Sequence, residues 1–338
     1  MELVQSKEQA SIDPRALNVL LNAKAPVLMF ANGYGDHYLN LPAFRAFAEI
    51  YAGRLTLVGI EGAIKQVSVG IDLRRLVELP MKHSATGRLF DVGKAHSAIG
   101  DCDVFISLNP WMNDDLSLLL LKLQPEYSMG FFKEYDLRVP RDYGKHTVDL
   151  SFDLVKLLQP SWEPSMYAQP PSFPIQDIDS AERIWEIFPA NGQVMCLHLD
   201  TLPDKMWSEE AWLAFIDRFL DEYPNFSVLI VGMNGIESSS LRNTQRIIPA
   251  YRLSIPVSGL LLSKCDIFVG VDSVFLHIAD LFAVPAIGLF GPTNPSEWGV
   301  RFGPGASVSK ISMSDIQVEQ VFDEVIHLLG NKPDRSAD

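Results

Sequence analysis

Cysteine is scarce in this sequence and widely spaced. Cys102, Cys196 and Cys265 are the only three in 338 residues. They suggest neither a disulfide framework nor a zinc site, and they read as small buried residues in a reducing compartment. A basic surplus is missing as well. The formal net charge of −14 excludes a general nucleic-acid binder, whose phosphate contacts need a cationic footprint. The excess carboxylate falls mostly in the second half, so the nearly balanced first half is still able to face an anionic partner. No apolar run approaches the roughly 18 residues that span a bilayer. The longest, Leu116–Leu121 with its neighbours, is broken by Lys122. The start, Met1 to Arg15, is polar and lacks the apolar stretch of a secretory leader, so a cytoplasmic location is expected. Also absent are a serine nucleophile elbow, a phosphate loop ending in Gly-Lys-Ser/Thr and any zinc-spaced His/Cys group.

What is present is a series of short apolar runs alternating with helical segments. Val27–Ala31, Leu55–Ile60, Val104–Leu108 and Ser128–Phe131 read as buried strands. Between the first two, Phe44, Phe47, Ala48 and Tyr51 form one helical stripe. Pro160, Pro164, Pro170, Pro171 and Pro174 then crowd one stretch, removing donors and blocking helix and sheet. It reads as a linker over about 159–176. A second series follows, with strands at Val194–Leu199, Val228–Val231, Ile267–Val271 and Ala286–Phe290 and helices at Glu209–Glu222, Phe275–Phe282 and Val318–Leu329. The pattern predicts an α/β protein of two Rossmann-like domains, 1–165 and 166–338, with the last helix packing back on the first domain. Ligands in such folds bind outside the carboxyl ends of the strands.

The residues that stand out lie at those ends. Asn32-Gly33-Tyr34-Gly35-Asp36 follows the first strand, and its glycines permit close backbone approach. Asp36 is then either a helix N-cap or a functional carboxylate. His198 through Trp207 begins at a strand end, where Thr201 and Lys205 suit an anionic group; the alternative is a solvated loop. Asp272-Ser273 starts a helix after a buried strand, where free N–H groups and the helix dipole attract phosphate. His277 lies one turn in, as a site residue or a structural histidine. Asp101-Cys102-Asp103 carries the Asp-x-Asp pattern of a divalent-metal site, but it immediately precedes an apolar strand and reads as a strand start. No metal is expected. Arg74-Arg75 with Lys82-His83 forms a basic stretch in the first half, read as solvated surface or as an anion-facing patch.

Taken in this order, the motifs resemble glycosyltransferase family nine, the bacterial heptosyltransferases. The resemblance rests on Asp272-Ser273-Val274-Phe275-Leu276-His277 against the family's Asp-Ser/Thr-Gly-x-x-His. It rests further on Leu289-Phe290-Gly291-Pro292-Thr293-Asn294-Pro295 against Leu-Phe-Gly-Pro-Thr-Asp-Pro, on Gly35-Asp36 with Leu41-Pro42-Ala43, and on Lys205-Met206-Trp207. It covers about Pro26 to Leu329. It implies two facing domains of GT-B type, an amino-terminal one for the acceptor and a carboxy-terminal one for the nucleotide-sugar donor. It also implies metal-independent, inverting transfer of a sugar, a heptose in the named family, onto a glycan, protein or small-molecule hydroxyl. By motif matching, Asp36 takes the place of the general base and Lys205 and Thr201 of leaving-group contacts. Asp272, Ser273, Val274 and His277 lie at the donor's phosphates and sugar, and Gly232-Met233-Asn234 borders the nucleotide. Gly33, Gly35, Arg74 and Arg75 fall on the acceptor side. No cofactor is implied beyond the nucleotide sugar as co-substrate. Three departures are visible: Val274 replaces the family glycine, the segment between the Val228 strand and Asp272 is short, and the acidic total suits an anionic acceptor poorly. Competing expectations are a nucleotide-sugar epimerase of the same fold and a non-catalytic nucleotide-sugar binder.

Overall fold

A computed structural model describes residues 13–188, 192–236 and 241–330. Most of the polar start read from the sequence lies outside the described residues. The first sheet contains β1 (Pro26–Phe30), β2 (Thr56–Ile60), β3 (Arg75–Leu79), β6 (Val104–Ser107), β7 (Tyr127–Gly130) and β8 (Leu137–Arg138). Between β3 and β6 the chain makes an antiparallel hairpin of β4 (Lys82–Ser84) and β5 (Gly87–Leu89). The second sheet contains β9 (Gln193–His198), β10 (Phe226–Gly232), β11 (Ile247–Tyr251), β12 (Ile267–Val271), β13 (Ala286–Phe290) and β14 (Gly305–Ser309).

The strand orders are β3-β2-β1-β6-β7-β8 and β11-β10-β9-β12-β13-β14. Every pairing within these two sheets is parallel. Parallel sheets need cover on both faces, and the central strands show it: all five residues of β1, β12 and β13 are buried. In each sheet the chain leaves the first strand to one side and returns to the other, which opens a crevice at that strand's carboxyl end. Those two crevices carry Asp36 and the His198–Lys205 loop.

One apolar cluster runs through both halves, from Phe44 and Phe47 to Leu261 and Leu276. It fixes the two sheets on either side of a cleft. The proline-rich stretch is not loose. Trp162 and Phe152 pack on Tyr167, and the Arg45 guanidinium donates to the carbonyls of Tyr167, Gln169 and Pro170. The stretch hands over to the Ile175–Trp185 helix, which packs on the Ile255–Ser263 helix of the second half. The last described helix, Val318–Gly330, does not return to the first domain. Val321, Phe322 and Val325 bury themselves in the second domain's core, and Phe322 lies under Arg218 of the Glu209–Glu222 helix.

Candidate functional site

The first wall of the cleft is built where β1 ends. Ala31 N–H donates to the buried Asn109 Oδ1 at 2.7 Å, which turns the chain into the Tyr34–Leu39 helix. Asp36 is not the N-cap. It sits in the first turn and its Oδ2 accepts from Gly33 N–H at 2.8 Å. Asp36 is half-buried, and desolvation is the main reason its carboxyl rises to about 6. The nearby Asp272 charge adds to the rise, while the Gly33 bond, Lys205 and Arg88 oppose it. Next to it, buried His37 bonds Gly33 O through Nδ1 at 2.8 Å, and burial pushes it down to about 4. Gly35 is required by close approach across the cleft. A Cβ there would lie 3.2 Å from His277 Cδ2 and 3.4 Å from Val274 N.

The second wall is a closed network. Asp272 Oδ2 accepts from Lys205 Nζ at 2.7 Å and from Thr293 Oγ1 at 2.8 Å. Thr201 Oγ1 donates to Asp272 O at 3.3 Å. Ser273 is the N-cap of the Val274–Leu281 helix, yet its hydroxyl makes no cap bond and has no partner. The first amides of that helix have no intrahelical acceptor and face the cleft beside it. Val274 keeps a negative φ, so the β-branched residue is unstrained where the family has glycine. His277 is buried, its Nδ1 lacks a partner, and burial pushes it down to about 4. It is neutral at physiological pH.

Gly232, Met233 and Asn234 do not line the cleft themselves. Met233 and Asn234 donate their N–H groups to Asp200 Oδ2 at 3.0 and 3.1 Å, and Asp200 lines it. Gly232 adopts φ +138°, and a Cβ there would fall 2.1 Å from Asp200 Oδ1. Together these elements enclose a cleft of about 650 Å³ that joins Asp36 to Lys205, Asp272, Ser273 and His277. A depression of similar size, about 690 Å³, lies at the amino end of the second sheet. There Arg246 is spent on the carbonyls of Leu220, Tyr223, Pro224 and Phe226, so among the described residues that line it no free ionisable group remains.

Arg74 and Arg75 are not at the cleft. They stand at the amino end of β3, where Arg74 N–H donates to Leu55 O at 2.9 Å and the Arg75 side chain donates to Ile99 O. In a parallel sheet that is the end away from Asp36. The first-domain cations near Asp36 are instead Arg88, on the hairpin, whose charge lowers the Asp36 value, and Arg141, which lines the small cavity beside it. The sequence reading missed both, along with Thr293, Asn40 and Trp298. The hairpin is held by Trp111, which packs where a Gly87 side chain would be, and by Asn113 Nδ2 donating to Arg88 O at 2.9 Å. Asp103 acts as the strand start it was read to be: its carboxylate accepts from Lys24 and Ala25 N–H. Among the described residues, no group of three or more His, Cys, Asp or Glu is placed to hold a metal ion. No helix among them is long and apolar enough to cross a membrane.

Two Rossmann-like domains facing each other across a charged cleft make the GT-B type of fold. Solved structures share this fold at low identity. A glycosyltransferase family 9 protein from Veillonella parvula is 18% identical with a TM-score of 0.75, over 92% of this chain and 99% of that one. E. coli ADP-heptose lipopolysaccharide heptosyltransferase II is 15% identical with a TM-score of 0.68, over 90% and 98%. E. coli heptosyltransferase WaaC with ADP is 15% identical with a TM-score of 0.65, over 90% and 99%. No curated protein matches the sequence. The model of glycosyltransferase family 9 (heptosyltransferase) matches residues 126–325, more than half of the chain. The protein belongs to that family.

Proposed function

We propose that the protein transfers a sugar from a nucleoside-diphosphate donor to an acceptor hydroxyl with inversion at the anomeric carbon, Asp36 serving as general base. The observation that carries this reading is the pairing of walls. A carboxyl raised to about 6 faces a helix N-terminus flanked by Lys205. Near neutral pH such a carboxylate is ionised, yet basic enough to take a proton.

In the step itself, Asp36 removes the acceptor O–H proton while that oxygen forms a bond to the anomeric carbon. The bond from that carbon to the diphosphate oxygen breaks, and the leaving nucleoside diphosphate keeps the electron pair. Its growing charge is met by Lys205 and by the free amides at the start of the Val274–Leu281 helix. Because these groups already supply positive charge, transfer is expected to need no added metal. The Asp272–Lys205 pair supports the reading in a second way. It holds the ammonium in place before the donor arrives, so that no side-chain ordering remains to be done in the transition state. An ADP-linked heptose is the donor that the family description and the ADP-bound relative favour.

A thermal-shift screen against nucleoside-diphosphate sugars identifies the donor, since a ligand of the folded state raises its melting temperature. Proton NMR of the product then reads the anomeric configuration. Retention of configuration, or activity lost to EDTA and restored by magnesium or manganese, would overturn the mechanism.

A further inference from the structure

The Val274–Leu281 helix, whose free amides open onto the cleft, is held to the first domain at both of its ends. At its start the contact is steric. The Tyr34–Leu39 helix packs against it, with Gly35 so close that a Cβ there would meet Val274 and His277. At its end the contact is polar and runs through a loop. Asp280, in the last turn and buried, spends both carboxyl oxygens on that loop. Its Oδ2 accepts from Arg301 N–H at 2.9 Å, and its Oδ1 from Phe302 and Gly303 N–H at 2.8 and 2.7 Å. A Cβ at Gly303 would lie 3.1 Å from Ala283 Cα, so loop and helix end are packed as one body.

The same loop reaches across to the first domain. The Arg301 guanidinium takes Asp149 in a fork, Nε to Oδ2 at 2.8 Å and Nη2 to Oδ1 at 3.1 Å. Asp149 stands in the first turn of the Thr147–Leu158 helix, where the helix dipole favours a carboxylate. His146 caps that helix, its Nδ1 accepting from Val148 N–H at 3.3 Å. The ring proton therefore sits on Nε2, which donates to Gly299 O at 3.0 Å. Trp298, the next residue, lines the cleft. Arg301, Asp149, His146 and Asp280 themselves do not, so contact with a substrate does not account for them.

Resting on the transferase reading, we propose that Arg301, Asp149 and His146 form an interdomain clasp of positioning residues, which holds the phosphate-facing helix at a fixed distance and direction from Asp36 before any ligand arrives. The argument is one of leverage. A helix of eight residues is about 12 Å long. One contact with the first domain would leave it free to pivot; two contacts, one at each end, fix its direction as well. Nucleotide affinity resides in the second wall and survives loss of the clasp. Turnover does not, because a displacement of about 1 Å between the base and the departing diphosphate costs up to about 10²-fold in rate. The pair is partly exposed, 40% at the Arg301 side chain and 22% at Asp149, and such a pair adds little to folding stability. The clasp therefore acts on geometry rather than on melting.

The test uses the full chain. Small-angle X-ray scattering reads the domain arrangement with and without ADP or UDP, calorimetry reads nucleotide affinity, and release of ADP from ADP-heptose reads turnover. The wild-type scattering profile should be the same with and without nucleotide. Arg301→Gln and Asp149→Lys should each enlarge the radius of gyration and lower kcat about 10-fold or more, with the KM for ADP-heptose, nucleotide affinity and melting temperature nearly unchanged. Arg301→Lys, which keeps the charge and loses the fork, should fall between. Variants that match the wild type in scattering and kcat (a surface ion pair only) would overturn the inference. So would a wild-type profile that contracts when nucleotide is added, since the ligand and not the clasp would then set the gap. A wild type that binds neither ADP nor UDP would strike the transferase reading instead, and the scattering of Arg301→Gln would still decide whether the clasp holds the domains.

Discussion

The two walls of the cleft solve opposite problems. On the second, the ammonium and the carboxylate facing it are already paired, Lys205 with Asp272 and Asp272 with Thr293, and Asp200 Oδ2 takes the Met233 and Asn234 amides, while Asp200 Oδ1, Ser273 Oγ and His277 Nδ1 are unpartnered. On the first, Asp36 spends one carboxyl oxygen on the Gly33 amide, and Asn40 and Arg141 hold unpaired atoms close by. A wall that must meet a fixed, highly charged group gains from being locked in advance, since reorganisation would cost rate. A wall that must take up a proton gains from poor solvation, which raises the carboxyl toward working pH. In the proposed transfer, preorganisation and proton affinity thus pull the hydrogen bonding in opposite directions and fall to different domains.

Asp36→Asn gives the sharpest break between the walls. The transfer rate is expected to fall about 10²–10⁴-fold. The wild-type rate should rise with pH along a limb near 6, where the carboxyl loses its proton. The same shift has a sign for stability. Because the folded-state value is raised, native Asp36 binds its proton more tightly than the unfolded chain does, and its contribution to stability declines as pH climbs from about 4 to about 6. At neutral pH the asparagine variant should therefore melt no lower than wild type. A substantial loss of melting temperature, or turnover within tenfold of wild type, would assign Asp36 to structure.

Lys205→Ala is the counterpart on the paired wall. Transition-state stabilisation should drop by roughly 2–4 kcal/mol, read as kcat/KM. Here stability falls too, because Asp272, 6% exposed at its side chain, loses its ion-pair partner. A Lys205→Ala variant with unchanged melting temperature would show that the Thr293 hydroxyl and the donor-side amides suffice to hold Asp272.

Gly232→Ala tests the locked wall without touching a charge. Its φ of +138° and the overlap with Asp200 predict a loss of about 1–3 kcal/mol. Urea unfolding measures that loss, and nucleotide affinity should fall with it as the Asp200 contacts shift.

The smallest effects should come from the arginines. Arg88→Ala removes a cation that lowers the Asp36 value, so the acid limb should move upward in pH with modest loss of rate. Arg75→Ala, at the far end of the sheet, should leave the limb where it is. An equal shift in both variants would mean that long-range charge rather than the hairpin's position sets the Asp36 value.

How much was legible in the sequence follows from burial. The eight strands read in advance are the eight interior ones, whose runs are apolar because both faces are covered. Of the six that went unread, β3, β8, β11 and β14 are the sheet edges, and β4 and β5 form the separate hairpin. Their burial alternates or lapses, as in Arg75–Leu79 and Gly305–Ser309, so they carry no continuous apolar signal. Arg75 was misplaced for that reason: with β3 unread, nothing indicated which end of a strand it occupied. Some local signals also went unused. Ser208 caps the Glu209–Glu222 helix and Asn113 the Asp114–Leu123 helix, both polar caps directly before an apolar pattern.

By itself, then, the sequence determined the class of fold and the identity of Asp36, Lys205, Asp272 and Ser273 as strand-end residues, because apolar runs and short motifs are local properties of the chain. Only the tertiary structure decided how those ends meet. It set Gly35 against Val274 and Lys205 on Asp272. It brought Arg88 and Arg141 to Asp36 from 52 and 105 residues away, and Trp298 from the other domain. Contacts of that range depend on how two sheets pack against each other, and so do the desolvation and charge that raise Asp36. No spacing within a single segment encodes either.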